Sequence, residues 1–167
     1  EVNYKQNKFD GKYTEWYENG QLKTEGNYIS GNKDDQWTWW NENGQIDQKK
    51  TYKDGNLVSE IKYLYDTNGQ IILEGNYKDG KKHGKETWWN NGQISWEVYY
   101  KDGEADGKST WWYDNGQMMI ESNHIDSKKH GKSTSWNENG QVIKEENYKD
   151  GNLVNETGYT HYQNGQL

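Results

Sequence analysis

The 167-residue sequence contains no cysteine, no proline and a single phenylalanine, and only 29% of its residues are hydrophobic. The absence of cysteine excludes disulfide bonds and thiolate metal ligands and leaves the redox compartment open. Aliphatic side chains are too few to fill a thick core. No apolar run approaches the roughly 20 residues of a membrane span, so membrane insertion is not expected. No stretch repeats its apolar residues with a helical period, so helices are not expected either.

What the sequence has instead is ten tryptophans and fourteen tyrosines. Such amphipathic rings can cover a thin sheet while their polar edges stay near water, so we expect an ordered chain despite its low hydropathy. Lys and Arg number 20 and Asp and Glu number 27, which gives a net charge of −7. This surplus of negative charge repels phosphate groups, and we therefore expect no nucleic acid partner.

The tripeptide Asn-Gly-Gln recurs seven times, and Asn-Gly strongly favours a tight hairpin turn. This marker begins at Asn19, Asn43, Asn68, Asn91, Asn115, Asn139 and Asn164. Successive markers are separated by 24, 25, 23, 24, 24 and 25 residues. A second turn signal follows the first six marker glycines by eleven residues, at Ser30-Gly31, Asp54-Gly55, Asp79-Gly80, Asp102-Gly103, Asp126-Ser127 and Asp150-Gly151. Each period therefore predicts two strands and two turns.

Three further positions are equally regular when they are counted from the marker glycine. Four residues before it stand Trp16, Trp40, Tyr65, Trp88, Trp112, Trp136 and His161. Two residues after it stand Leu22, Ile46, Ile71, Ile94, Met118, Val142 and Leu167. Eight residues after it stand Tyr28, Tyr52, Tyr77, Tyr100, His124 and Tyr148. We call these rows the aromatic, aliphatic and tyrosine ladders.

The geometry of the marker turn decides which ladders meet. A three-residue loop with a G1 bulge pairs the aromatic ladder with the aliphatic ladder, as in Trp16 with Leu22 or Trp112 with Met118. A two-residue turn would put these two ladders on opposite faces. We therefore predict the bulged turn, with all three ladders on one face. The predicted fold class is all-β, an elongated tandem array of hairpins in one antiparallel meander sheet, forming a single domain over residues 1–167.

One complete unit, residues 69–92, reads Gly-Gln-Ile-Ile-Leu-Glu-Gly-Asn-Tyr-Lys-Asp-Gly-Lys-Lys-His-Gly-Lys-Glu-Thr-Trp-Trp-Asn-Asn-Gly. It resembles the bacterial MORN-variant repeat, in which Tyr-x-Asp-Gly-Lys-x-x-Gly is followed by an aromatic pair and Asn-Gly. The resemblance extends over nearly the whole chain and implies a β-hairpin array with a scaffolding role. Related bacterial proteins are often described as antitoxin-like or immunity-like. The basic turn Lys-Lys-His-Gly-Lys occurs in full only at residues 81–85 and 128–132, so no basic stripe suited to phosphoinositides is expected.

Carboxylates and histidines are the titratable candidates for chemistry. The carboxylates recur five residues after the marker glycine, at Glu25, Glu74, Glu97, Glu121 and Glu145. Equivalent positions lie two strands apart, about 10 Å, which is too far for a shared metal ion. The histidines, His83, His124, His130 and His161, have no spacing typical of a metal site or of a base and nucleophile. We therefore expect no catalytic residue, no metal site and no cofactor.

The candidate contact residues are those that break the repeat on the strand face opposite the ladders. That face is mostly polar, but seven of its positions are apolar, namely Trp39, Leu64, Ile72, Trp89, Trp111, Met119 and Ile143. Apolar patches on polar surfaces often mark partner sites, and tryptophan is favoured at binding hot spots. On this interpretation Trp111 contributes to binding, whereas its neighbour Trp112 contributes to folding.

The predicted function is that of a non-catalytic protein-binding or scaffolding domain. Its partner would be a toxin, if the chain is antitoxin-like or immunity-like, or a host or surface protein, if it acts at the bacterial surface. The alternative is a carbohydrate or cell-wall binding module, because paired aromatics before glycine also resemble cell-wall-binding repeats. The start at Glu1 favours a secreted, periplasmic or surface location, with the cytoplasm as the alternative. Open edge strands predict end-to-end self-association.

Overall fold

The computed structural model describes residues 2–5 and 7–161, with side chains for residues 5 and 7–161. Strands and turns make up these residues, and among them no helix could span a membrane. The prediction of an all-β hairpin array is confirmed. The chain divides into two compact units, residues 1–81 and 82–167, and the prediction of one domain stays a prediction. The seventh marker at Asn164 and the last aliphatic residue, Leu167, lie outside the described residues.

Each unit is an antiparallel meander in which every strand except the short β12 pairs with the next long strand along the chain. The first unit contains β1 (Val2–Lys5), β2 (Lys8–Trp16), β3 (Leu22–Ile29), β4 (Asn32–Trp40), β5 (Ile46–Lys53), β6 (Asn56–Tyr65) and β7 (Ile71–Lys78). The second unit contains β8 (Lys81–Asn90), β9 (Gln93–Lys101), β10 (Glu104–Trp112), β11 (Met118–Ile125), β12 (Lys128–Lys129), β13 (Gly131–Trp136), β14 (Val142–Lys149) and β15 (Asn152–Gly158). The short β12 pairs with β11 just before β13 does.

The second turn of each repeat is a two-residue turn with both central residues at positive φ. Asp54 has φ of 52° and Gly55 has φ of 83°, and the other five second turns show the same pair of angles within about 20°. Asp and Ser can occupy the first position because short polar side chains tolerate the left-handed conformation better than branched ones. The six predicted second turns are therefore confirmed.

The predicted bulged loop is present at five of the six described marker turns. In the first hairpin the Gly20 N–H donates to the Tyr17 carbonyl at 3.0 Å, and the Tyr17 N–H donates to the Gln21 carbonyl at 2.8 Å. Gly20 has φ of 82°, the left-handed conformation that this loop requires. The predicted pairs form as Trp16–Leu22, Trp40–Ile46, Tyr65–Ile71, Trp112–Met118 and Trp136–Val142.

Side-chain hydrogen bonds explain why these turns carry Asn and Gln. Where an Asx residue starts the loop, its side chain caps the turn: Asn41 Oδ1 accepts from the N–H groups of Asn43 and Gln45, both at 3.0 Å. Where Tyr17 starts the loop, Asn19 Nδ2 instead reaches the next turn and donates to a carbonyl there at 2.9 Å. The marker residues thus satisfy polar groups within and between turns.

The fourth hairpin departs from this pattern and uses a two-residue turn. Asn91 and Gly92 have φ of 49° and 78°, and Trp89 pairs with Ile94 in place of Trp88. The loop-starting position is Trp89 here, which can neither cap the loop as an Asx side chain does nor donate a hydroxyl hydrogen bond to the next hairpin as Tyr17 does to the Trp40 carbonyl at 2.7 Å. The marker interval that precedes this hairpin is the shortest, 23 residues.

A second bulge, three residues after the marker glycine, follows each described marker turn. In the first hairpin Trp16 pairs with Leu22 and Glu15 pairs with Thr24, so the pairing skips Lys23. The same skip occurs in the other five hairpins. Because side chains alternate along a strand, one extra residue moves each later side chain of that strand to the opposite face of the sheet.

The prediction that all three ladders share one face is therefore wrong. The aromatic and aliphatic ladders share a face, as in Trp16 with Leu22, but the tyrosine ladder lies on the other face. Tyr28 contacts Trp37 with ring centroids 4.9 Å apart, and Trp37 contacts Trp39 at 5.9 Å. We call the face that carries Trp37 and the tyrosines the core face. The face that carries Trp16, Leu22 and their equivalents is called the ladder face.

The core face of the first unit is organised around Trp37, which is only 1% exposed. Its indole lies directly over Gly26, where a Cβ atom would be 2.1 Å from a ring carbon. Tyr13 and Tyr28 flank the ring, with centroids 5.5 and 4.9 Å from it. Because Gly26 on β3 has no side chain, the indole of Trp37 can lie close to the backbone and be buried within a single sheet.

We expect Gly26→Ala to destabilise the first unit by about 1–3 kcal/mol, because the new methyl group overlaps the Trp37 ring and forces it to move. Gly158→Ala is the matched control, since no atom lies within 4 Å of its Cβ position. That control should change stability by no more than about 0.5 kcal/mol. Urea denaturation followed by circular dichroism measures both, and equal costs would contradict the proposed packing of Trp37.

Candidate functional site

The seven predicted contact residues do not share one face. The core face holds Trp39, Leu64 and Trp111, whereas the fourth hairpin places Trp89 on the ladder face. The extra positions of the second bulges are occupied by Ile72, Met119 and Ile143. The prediction of a common face is wrong because the short fourth turn shifts Trp89 by one position and the second bulges take Ile72, Met119 and Ile143 out of the regular alternation. Whether these residues bind a partner stays a prediction.

In the second unit Trp111 belongs to a stack of three tryptophans on the core face. The Trp88 and Trp96 ring centroids are 6.2 Å apart, and those of Trp96 and Trp111 are 6.0 Å apart. The three rings tilt by only 24° to 30° between neighbours. Trp96 was not predicted, although the sequence carried a signal: the fourth position after a marker glycine is aromatic only there.

The buried carboxylate of Glu86 has specific partners beside this stack. Glu86 is 2% exposed, and its Oε1 accepts from Lys82 Nζ at 2.8 Å and from Trp88 Nε1 at 3.1 Å. Its Oε2 also lies 2.7 Å from the same ammonium group. Burial lowers the pKa of Lys82, but hydrogen bonding and charge from Glu86 outweigh it and leave that pKa raised. The adjoining row holds Val98, which is 3% exposed. This face is therefore built as packed structure.

Trp39 is also engaged by neighbours on the core face of the first unit. Lys33 Nζ lies 4.2 Å from the ring centroid of Trp37, 5.0 Å from that of Trp39 and 5.3 Å from that of Tyr52. Burial lowers the pKa of Lys33, and the charge of Lys50 lowers it further. The rings thus stabilise an ammonium group of the same chain by cation–π attraction. Trp39 therefore contributes to the packing of the first unit.

His124 replaces tyrosine in the tyrosine ladder and faces the buried serines of the second unit. Its Nδ1 lies 3.0 Å from the Ser109 hydroxyl oxygen, and Ser109 is 1% exposed. Burial lowers the pKa of His124, and the charge of Lys129 lowers it further. The neutral imidazole is therefore the form that the folded state favours.

The ladder face of the second unit presents a row of aromatic and aliphatic pairs. The pairs are Trp89–Ile94, Trp112–Met118 and Trp136–Val142. Ile94 is 38% exposed and Met118 is 39% exposed, and the other four residues are half-buried. We call these six residues the apolar row. It differs from the core face because none of its members is fully buried.

Ion pairs line one side of the apolar row. Three lysine–glutamate pairs join neighbouring strands of the ladder face, namely Lys85–Glu97 at 2.8 Å, Lys108–Glu121 at 2.5 Å and Lys132–Glu145 at 2.6 Å. The hydrogen bond from Lys132 holds the pKa of Glu145 below its usual value. Each predicted carboxylate of this unit thus has a lysine partner, and the row of charges is neutral. Among the described residues no group of three or more His, Asp or Glu could hold a metal ion.

Comparisons with known proteins support a repeat family. The family model described as MORN repeat variant matches residues 9–30, 36–54, 61–79, 105–126 and 129–150, together more than half of the chain. The comparison with curated proteins gave no match.

Two solved structures match this chain over a small part of their own length. One is a GtfA/B complex bound to UDP and GlcNAc, with 16% identity, a TM-score of 0.26 and coverage of 64% of this chain. The other is an S. aureus TarM mutant in complex with fondaparinux, alpha-GlcNAc-glycerol and UDP, with 11% identity, a TM-score of 0.27 and coverage of 72%. The match spans 21% of each of those chains, and no functional conclusion follows from it.

The placement of the tryptophans predicts stability costs opposite to those that the sequence indicated for Trp111 and Trp112. We expect Trp111→Ala to lower the free energy of unfolding by about 3 kcal/mol, because it removes a ring that packs against Trp96 on the core face. Trp112→Ala should cost about 1 kcal/mol, since its pair with Met118 is partly open to solvent. Urea denaturation measures the loss of unfolding free energy in each variant. A larger loss for Trp112→Ala than for Trp111→Ala would support the roles that the sequence indicated.

The second unit should lose stability as the pH falls below about 6.5, the usual pKa of histidine. The folded state lowers the pKa of His124, so the unfolded chain binds the proton more readily and acid favours unfolding. Carboxylates titrate at lower pH, so the change in stability just below pH 6.5 comes from histidine. We expect His124→Tyr, which restores the residue of the other repeats, to reduce the stability loss between pH 7 and about 5. Thermal melts of both proteins across this pH range test the prediction. If stability falls with pH equally in the variant and the unmodified chain, His124 is not the cause.

Proposed function

We propose that the ladder face of the second unit binds a partner protein. The premise is that the chain belongs to the MORN repeat variant family. Domains of this family typically bind or scaffold other proteins and are generally non-catalytic. The proposal moves the contact surface from the seven residues that the sequence indicated to the apolar row. Only Trp89 belongs to both sets.

The observation that carries this proposal is the apolar row beside its neutral border. A partly exposed strip of three tryptophans with aliphatic partners has the composition of an interface centre, where aromatic side chains and methionine are enriched. The lysine–glutamate pairs beside it resemble an interface rim, which is polar and hydrated. Because the glutamates are already paired, a partner need not supply compensating charges to cover them.

The spacing of the apolar row indicates the kind of partner surface that fits it. Successive pairs are one hairpin apart, so their tryptophans recur about every 10 Å across the strands. Apolar residues seven positions apart on an α-helix recur at about 10.5 Å. An amphipathic helix that crosses the strands can therefore place one apolar side chain beside each pair.

The identity of the partner is a finer proposal, supported by the resemblance to bacterial MORN-variant repeats. We propose a toxin that this chain neutralises, with a host or surface protein as the second candidate. Co-expression with the products of neighbouring genes separates the two. Relief of growth inhibition by the chain would indicate a toxin, whereas binding without any such relief would indicate the second candidate.

Carbohydrate binding has less support. Sugars stack on free ring faces, but the rings of Trp88, Trp96 and Trp111 are stacked on one another. On the ladder face each tryptophan alternates with an aliphatic residue, which interrupts a continuous track of rings.

We expect Trp112→Ala to weaken binding of the partner by about 2 kcal/mol or more, roughly thirtyfold, because it removes the central ring of the apolar row. A photo-crosslinking residue in place of Met118 identifies the partner, and calorimetry then measures the affinity of each variant. Leu153→Ala is the matched control, since Leu153 is 49% exposed but pairs with Tyr148 of the core face. Equal losses in the two variants, or crosslinking to glycans alone, would overturn the proposal.

A further inference from the structure

The six described Asn-Gly dipeptides are not equivalent, because only one glycine N–H is free. In five marker turns the glycine N–H donates to the carbonyl three residues earlier, at distances of 2.9 to 3.1 Å. These glycines are Gly20, Gly44, Gly69, Gly116 and Gly140. Within the described residues Gly92 has no such bond, since the two-residue turn directs the pairing to Asn90 and Gln93.

The asparagine before each glycine shows the same contrast. Asn19 Nδ2 donates to the Glu42 carbonyl at 2.9 Å, and Asn115 is held in the same way. At the three markers that begin at Asn43, Asn68 and Asn139, the asparagine N–H donates to the Asx side chain that starts the loop. No hydrogen bond to Asn91 is present in the part of the chain that the structure describes, and both turn residues are exposed.

We infer that Asn91-Gly92 is a spontaneous modification site at which Asn91 deamidates faster than the other five asparagines. Hydroxide removes the Gly92 amide proton, and the nitrogen attacks Cγ of Asn91. A bond forms between that nitrogen and Cγ, the Cγ–Nδ2 bond breaks, and ammonia leaves. Water then opens the cyclic imide at either carbonyl, which yields aspartate or isoaspartate at this position. No oxidant or reductant is needed.

A free glycine N–H favours this reaction because the nitrogen must lose its proton and turn towards the side chain. In the other five turns that proton is held in a hydrogen bond that must first break. A hydrogen bond of ordinary net strength reduces the population of the open form by about threefold to tenfold. That factor is the advantage expected at Asn91.

The modification acts on the turn that positions the tryptophans of the second unit. The isoaspartate product adds one carbon to the backbone of a turn that contains only two residues. This turn fixes the register in which Trp88 pairs with Trp96 and Trp89 pairs with Ile94. Deamidation at Asn91 therefore alters the tryptophan stack and the apolar row together, independently of which partner the chain binds.

Peptide mapping by mass spectrometry, after incubation of the folded chain in mildly alkaline buffer, measures deamidation at each marker separately. We expect the rate at Asn91 to exceed each of the five other rates by about threefold to tenfold. In concentrated urea the six rates should converge, because the flanking dipeptide is the same. A rate at Asn91 equal to or below the others in the folded chain would overturn the inference, as would an advantage that persists in urea.

Asn91→Gly provides the matched variant, since Gly-Gly also forms this type of turn but has no side-chain amide. Its tryptophan fluorescence should stay constant during the incubation, whereas that of the unmodified chain should drift as isoaspartate accumulates. Circular dichroism confirms that the variant is folded at the start. An equal drift in both proteins would show that the fluorescence change does not come from Asn91.

Discussion

A bulged loop at the marker glycine and a second bulge three residues later determine how the side chains are placed in five of the six described hairpins, and the fourth has the second bulge alone. The left-handed glycine closes the loop and pairs the aromatic ladder with the aliphatic ladder, as in Trp16 with Leu22. At the second bulge Lys23, or its equivalent, is left out of the pairing, and the later side chains of the strand change face. A repeat whose strands were regular would place its aromatic residues on one face. With the second bulge, each repeat contributes large side chains to both faces.

This arrangement solves a problem of a meander that has no second layer within its unit. A single sheet buries a side chain only beneath neighbours on the same face, so small residues must lie beneath large ones. Gly26 beneath Trp37 and Ser109 beside His124 follow this rule. The carboxylate of Glu86, which is covered in this way, keeps an ion-pair partner in Lys82. The low aliphatic content of the chain is therefore compatible with a few fully buried positions.

Much of this architecture could be predicted because it is periodic. Marker spacing predicted the six described hairpins, and the pairing of positions across the turn predicted the bulged loop and the Trp16–Leu22 pair. The second bulge could not be predicted, because the residue that it absorbs differs from repeat to repeat and carries no turn signal. The facing of the tyrosine ladder was wrong for that reason. Trp89 was misplaced for a different reason: its marker looks standard, but its loop would start with a residue that is neither Asx nor tyrosine.

Charge is distributed unevenly between the apolar row and the loops beside it. The chain carries a net charge of −7, yet the lysine–glutamate pairs leave the border of the apolar row neutral. Acidic side chains remain in the marker loops of the second unit, at Asp114 and Glu138. Exposed charges at a rim act over roughly a Debye length and change mainly the rate of encounter, whereas buried apolar contacts change mainly the rate of dissociation. For a partner on the ladder face, raised salt should therefore slow association with a basic protein and leave dissociation from the apolar row nearly unchanged.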